Sequence, residues 1–161
     1  MTPILNRRVT AQLEKPIVVF LIGMRVNRWW DFRRWFAVFR AMPKMLGELS
    51  RHPEIGFLHA EMFFTPPRTL MVQYWKSYED LERFARDPDK THFPAWREYN
   101  KLVRGTGSVG LWHETYIVEP GKAEAIYDGM PKFGLAAATA VQDIDAAHDT
   151  SRARLEAVGR E

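Results

Sequence analysis

The run Ile17-Val18-Val19-Phe20-Leu21-Ile22-Gly23-Met24-Arg25-Val26 constrains this chain more than any other feature. Continuous β-branched and apolar residues over that length predict a central strand buried on both faces. The run is far too short to span a bilayer. A strand of this kind needs a layer on each side, and the rest of the sequence has to supply both.

One layer is helical. Asn27 and Asp31 are helix-start residues ahead of an amphipathic pattern in which Phe32, Trp35, Phe36, Phe39, Met42, Leu46 and Leu49 recur at helical spacing. Arg33, Arg34, Arg40 and Lys44 fall largely on the opposite side. Pro43 removes one intrahelical donor and crowds the preceding turn, so the helix is expected to kink or restart there.

A second strand is expected over 54–64, with Phe57, His59 and Glu61 on one face and Leu58, Ala60 and Met62 on the other. Thr65-Pro66-Pro67-Arg68 is a short connection that favours an antiparallel hairpin to a strand over 69–75. Ser77 followed by Glu79, Asp80 and Glu82 predicts a helix start, with acidic side chains at the positive end of the dipole. That helix buries Leu81 and Phe84 and stops near Asp87-Pro88. Residues 94–103 predict a further short helix, 108–118 a fourth strand, and 122–127 a turn of helix. Residues 1–15 read as an arm, 16–135 as one folded domain, and 136–161 as a helical or frayed tail with few large apolar anchors.

The order strand, helix, strand, strand, helix, strand is the split β-α-β, ferredoxin-like arrangement of an α+β domain with an antiparallel sheet. Its helices cover one sheet face. A second copy of the sheet is the simplest cover for the other, which predicts a closed twofold homodimer.

Composition removes several functions. The 161 residues suit one domain, and 46% hydrophobic with 27% charged residues suits a folded chain. There is no cysteine, hence no disulfide, thiolate metal site or cysteine nucleophile. The stretch after Arg7 and Arg8 is polar, which argues against a secretory signal, and a cytoplasmic protein is the expectation. Residues 1–51 hold ten Lys/Arg against three Asp/Glu, and the remainder thirteen against seventeen. This asymmetry suits a solvated helix face better than a nucleic-acid or membrane surface, and neither partner is expected. No phosphate-cradling loop, GxSxG elbow or acidic metal loop is present.

Three phrases carry a family resemblance. They are Gly56-Phe57-Leu58-His59-Ala60-Glu61 with Met71-Val72-Gln73-Tyr74-Trp75; the junction Trp75-Lys76-Ser77-Tyr78-Glu79-Asp80-Leu81-Glu82-Arg83-Phe84-Ala85; and Gly110-Leu111-Trp112-His113-Glu114-Thr115-Tyr116 with Glu124-Ala125-Ile126-Tyr127 and Met130-Pro131 downstream. With the element order, they resemble the dimeric α+β barrel superfamily, in particular its small monooxygenase-like members. The second and third phrases are also similar to one repeat of the haem-containing aldoxime dehydratases. The resemblance covers roughly residues 16–135 and implies a fold more firmly than a reaction.

Few residues are candidates for chemistry. His113 shares a strand face with Leu111 and Thr115, while Trp112, Glu114 and Tyr116 point the other way. A lone imidazole on an apolar face suits a haem axial ligand or a general base, and equally a hydrogen-bonded interface histidine. His59 and Glu61 alternate onto one face, as a carboxylate-oriented base would, or as an inter-subunit pair. No HxH, HxxxH or two-histidine-one-carboxylate spacing points to a metal. A buried Arg25 would want a carboxylate, either Glu61 or a ligand's. Trp35 and Phe36, with Phe57, Tyr74 and Trp96, are candidates to wall a pocket between helix and sheet.

Three functional readings follow. One is a monooxygenase-like oxidoreductase acting on a hydrophobic small molecule, without cofactor. Another is a haem protein or haem-dependent lyase with His113 as axial ligand. The last is a non-catalytic ligand-binding dimer.

Overall fold

The computed structural model describes residues 3–88 and 92–157; the side chains of Lys44, of residues 92–96 and of Ala157 lie outside the described set. The elements run β1 (Leu5–Gln12), β2 (Ile17–Val26), α1 (Phe32–Arg51), β3 (Phe57–Thr65), β4 (Arg68–Trp75), α2 (Tyr78–Arg86), α3 (His92–Leu102), β5 (Val109–Val118), β6 (Tyr127–Met130), α4 (Leu135–Ala138), β7 (Ala140–Asp143) and α5 (Ser151–Ala157).

The main sheet has the order β3-β4-β2-β5, every neighbouring pair antiparallel. With α1 and α2 joining its strands, this is the ferredoxin-like α+β topology expected from the element order. The apolar run from Ile17 lies at the interior of the sheet, between β4 and β5. Val18, Phe20, Ile22, Met24 and Val26 face the helices, opposite Trp75, Gln73, Met71 and Thr69 of β4. Every one of those four β4 residues is buried.

The core under the helices forms two clusters. Val18, Leu49, Trp75, Leu81 and Phe84 pack at one end, and Met24, Val26, Val103 and Val109 at the other. The polar atoms of Gln73 are used inside the core: Trp75 Nε1 donates to Gln73 Oε1 at 2.9 Å, and Gln73 Nε2 donates to Met71 Sδ at 3.1 Å. A buried amide left without such partners would cost about 1–3 kcal/mol.

The caps fix where the helices start. Ser77 Oγ accepts from the Asp80 amide at 3.1 Å, as the acidic start after Ser77 predicted. Asp31 precedes α1 and accepts from Arg34 Nη1 at 2.6 Å and from the buried Ser108 hydroxyl, tying α1 to the start of β5. The Ser108 bond, then the Arg34 bond, holds its carboxyl below the usual aspartate value. The helix α1 runs unbroken through Pro43 and does not restart there.

Other sequence expectations are revised. Residues 5–12, within the expected N-terminal arm, form the middle strand of a second sheet, β6-β1-β7. In the tail expected to be helical or frayed, 151–157 are helix but 140–143 are strand, and 122–127 hold no helix ahead of β6. In the second sheet β1 buries Val9 and Thr10, while side-chain pairs lie at its more exposed positions: Arg7–Asp143 at 2.6 Å, Arg8–Asp149 at 2.8 Å, and Gln12 with Gln142 at 3.0 Å. The segment between β6 and α4 lies against the helix-free face of β3, with the Phe63 and Phe133 rings 6.2 Å apart. The chain therefore covers part of that face itself. Trp112 and Tyr116 on the same face of β5 remain 40% and 49% exposed. Among the described residues, no helix is long and apolar enough to cross a membrane.

Candidate functional site

Between the two core clusters the middle of β2 is left unfilled. A cavity of about 650 Å³ opens there, floored by Phe20 and Ile22 of β2 and by His113 and Thr115 of β5, and roofed by α1, α2 and α3. The space exists because α1 presents Ala37 and Ala41 to it, one turn apart, where larger side chains would fill it. Met42 and Met45 supply flexible apolar walls, and Glu82, Arg86 and Glu98 add charge.

His113 stands opposite Ile22 in the register, with the Phe20 ring 5.6 Å away. Four histidines have described side chains. His52, His59 and His148 each pair with a carboxylate, at 2.8, 2.7 and 2.6 Å. His113 has no hydrogen-bond partner among the described residues, so both ring nitrogens are available to a bound molecule. β5 is an edge strand, and His113 and Thr115 on it are exposed to solvent.

His59 and Glu61 lie on the other side of the sheet. Phe57 pairs with Trp75 and His59 with Tyr74, so one extra residue sits between them. This irregularity breaks the simple alternation expected of Phe57, His59 and Glu61. Phe57 turns into the core against Trp75, ring centroids 5.4 Å apart, while His59 and Glu61 join the helix-free face. His59 Nε2 and Glu61 Oε1 are 2.7 Å apart, and the same oxygen accepts from the Gly134 amide at 3.2 Å. The Tyr127 hydroxyl accepts from the Ala136 amide at 3.2 Å. The Tyr74 hydroxyl would lie 3.1 Å from any Cβ at residue 134, and Gly134 has φ of 56°, so glycine meets both demands. Burial, then the neighbouring Tyr127 and Glu61, raises the Tyr74 phenol above its usual value; burial is also the main cause for Tyr127. The sheet thus separates His113 from the His59–Glu61 pair.

The remaining candidates are dispersed. Arg25 finds no buried carboxylate: it is exposed, and its Nη1 donates to Asn27 Oδ1 at 2.6 Å. Trp35 and Phe36 wall a second, smaller cavity of about 270 Å³ on the far side of Met24, a residue that borders both spaces. The Trp35 indole donates to the Trp29 carbonyl at 3.1 Å. The Trp96 side chain lies outside the described residues. Sequence reasoning missed Ala37, Ala41 and Met45; their signal was small or flexible residues at helical spacing, four apart. Among the described residues, no group of three or more His, Asp or Glu side chains is arranged to hold a metal.

A curated relative, monooxygenase af470 of Aspergillus fumigatus, is 28% identical over 149 residues, covering 79% of this chain. The chain spans about half, 52%, of that relative's length. Among solved structures, an aldoxime dehydratase in complex with butyraldoxime matches 98% of this chain and 44% of its own, with a TM-score of 0.62 at 16% identity. SnoaB, a cofactor-independent oxygenase from Streptomyces nogalater, matches 64% of this chain and 93% of its own, with a TM-score of 0.46 at 12% identity. The aldoxime dehydratase likeness establishes a shared fold. The model of the monooxygenase af470-like family matches residues 17–135, the whole of the main sheet with its three helices, and this chain belongs to that family.

Proposed function

We propose that the chain is a monooxygenase-type enzyme that oxidises a hydrophobic small molecule in the cavity between sheet and helices, with His113 as its general base. The observation that carries this reading is the unpaired imidazole on the floor of a largely apolar space. A base needs a free nitrogen within reach of the proton it takes, and low polarity around it favours a substrate held by its hydrocarbon surface.

The chemistry this arrangement supports needs no metal. His113 accepts a proton from an acidified C–H of the substrate, leaving a carbanion. Molecular oxygen, the oxidant, adds to that carbon. The imidazolium returns its proton to the resulting peroxide, which collapses to a carbonyl with loss of water. A CH₂ group and O₂ become C=O and H₂O, and the histidine ends as it began. Such a carbanion needs protection from solvent; His113 is exposed in the single chain, and the bound substrate would have to exclude water from it. Trp112 and Tyr116 stay exposed on the opposite, helix-free face, and the proposed working unit is a homodimer paired across that face. In this reading, His59 and Glu61 hold the segment around Gly134 rather than move protons.

Oxygen uptake measured over a panel of enolisable hydrophobic ketones and phenols tests the proposal. Uptake that falls by about 10²–10⁴ in His113→Ala supports it; uptake unchanged in that variant refutes it.

A second reading rests on the same imidazole. The cavity's size and its unpaired imidazole would suit a haem group, which His113 would hold through its iron and Arg86 through an acidic substituent. Bound there, haem would supply the redox or Lewis-acid chemistry, and this chain would bind it, orient it and limit water. Haemin titration decides between the readings: a Soret band that His113→Ala abolishes favours haem, and its absence in the wild type removes haem.

A further inference from the structure

The helix-free face of the main sheet carries its charges in rows that run across the strands. Arg68 of β4 stands directly opposite Arg25 of β2, which stands opposite Gly110 of β5. The next row on that face holds Leu70, Gly23 and Trp112, and the one after it Glu61, Val72, Leu21 and Glu114. A cationic row and a row ended by carboxylates therefore flank an apolar one. The cationic row is unbalanced, because like charges directly opposite each other on adjacent strands are destabilising. Both arginines are exposed, and neither has a carboxylate partner among the described residues; the Arg25 guanidinium donates to the Asn27 side-chain oxygen. Glu61 is committed to His59 and the Gly134 amide, whereas Glu114 is exposed and accepts from the Tyr116 hydroxyl. A carboxylate in that state keeps lone pairs for a guanidinium.

Within one chain, Arg25 and Glu114 lie two rows apart on neighbouring strands, about 13 Å along the strand direction, and do not meet. A second copy changes this. A twofold axis lying along the apolar row reverses the strand direction of the second copy and sets its cationic row over the carboxylate row of the first. Such a contact is isologous, so the match occurs twice. The Trp112 indole lies over Gly23, where a Cβ would come within 2.6 Å of its nitrogen, so a low apolar surface stands at the axis. The segment before α4 lies over β3, so β2 and β5 make the close contact and the two sheets splay toward β3. We infer that a second copy of this chain docks here with the Gly23–Trp112 row at the twofold axis, Arg25 of each chain pairing with Glu114 of the partner subunit. The inference rests on the homodimer of the proposed function and adds to it the alignment of the two chains and the residues that set it.

Sedimentation equilibrium of the full chain tests this, with circular dichroism confirming that each variant is folded. The wild type should be dimeric. Arg25→Glu relieves the repulsion by Arg68 within the chain but sets acid against acid at both symmetric contacts, so it should raise the dimer Kd about 100-fold or more. Glu114→Arg should do the same. The double variant Arg25→Glu/Glu114→Arg restores opposite charges and should return Kd to within about tenfold of the wild type. A wild-type dimer whose Kd neither single reversal changes, or which the double variant fails to restore, overturns this alignment and leaves the homodimer standing. A wild-type chain that stays monomeric at every concentration overturns both. Inorganic phosphate bound by the wild type and not by Arg25→Glu, with the dimer unaffected, would make the arginine pair a small-anion site and also overturn the alignment.

Discussion

Glu61→Ala should destabilise one part of the molecule and leave the His113 cavity intact. The Glu61 carboxylate accepts from His59 at 2.7 Å and from the Gly134 amide at 3.2 Å, with side-chain exposures of 23% for Glu61 and 30% for His59. Exposed ion pairs contribute at most about 1 kcal/mol. Breaking a fully buried pair costs about 3–5 kcal/mol. A pair of intermediate burial with one added amide bond lies between, at about 2 kcal/mol. For a chain of this length that corresponds to a fall in Tm of about 4–8 °C. Glu61→Gln keeps an acceptor for the Gly134 amide and should lose about half as much. Hydrogen exchange gives the location: the amides of Gly134 and Ala136 should exchange faster, while those of β2 and β4 change only with global stability. Unchanged exchange at Gly134, or a loss of oxygen uptake with no loss of stability, would refute the reasoning and return Glu61 to the catalytic candidates.

Three further outcomes are expected. Ser77→Ala removes the cap on Asp80 and should cost about 1 kcal/mol in urea unfolding. Gly23→Val should cost about 1–3 kcal/mol by overpacking, because a Cβ there would sit 2.6 Å from the Trp112 indole nitrogen and 2.5 Å from the Thr69 carbonyl oxygen; near-ultraviolet circular dichroism should report the displaced tryptophan. The Tyr74 and Tyr127 phenols are raised above 10.0 in the folded chain, mainly by burial. The unfolded chain therefore releases these protons first, and the stability they contribute is present below pH 10 and lost as pH rises through the folded values. Tyr74→Phe should flatten that alkaline loss in pH-dependent unfolding, and an unchanged alkaline limb would contradict the burial argument.

The main sheet was legible in the sequence because its signals are local. The β-branched run from Ile17, the Ser77 cap and the strand through His113 each declare themselves within a dozen residues. The second sheet was not legible, because β1 pairs with β7 across about 130 residues and its one fully buried apolar residue, Val9, makes no local periodic pattern. The placement of the candidate site was legible in part. Strand parity put His113 with Leu111 and Thr115, and that face does line the larger cavity. Parity failed at Phe57, where one irregular residue in β3 separates it from His59 and Glu61. The pocket walls were misjudged for a different reason: large aromatics at helical spacing draw attention, whereas a cavity is made by the residues that leave room, here Ala37 and Ala41.

The central claim is that chemistry occurs on the helix side of the sheet, at His113. It is tested most directly by comparing kcat for His113→Ala and Glu61→Gln on one substrate that supports oxygen uptake, with both variants first verified as folded. The account predicts a fall of about 10²–10⁴ for His113→Ala and a change of less than about threefold for Glu61→Gln. A large fall for Glu61→Gln with His113→Ala near wild type would contradict it.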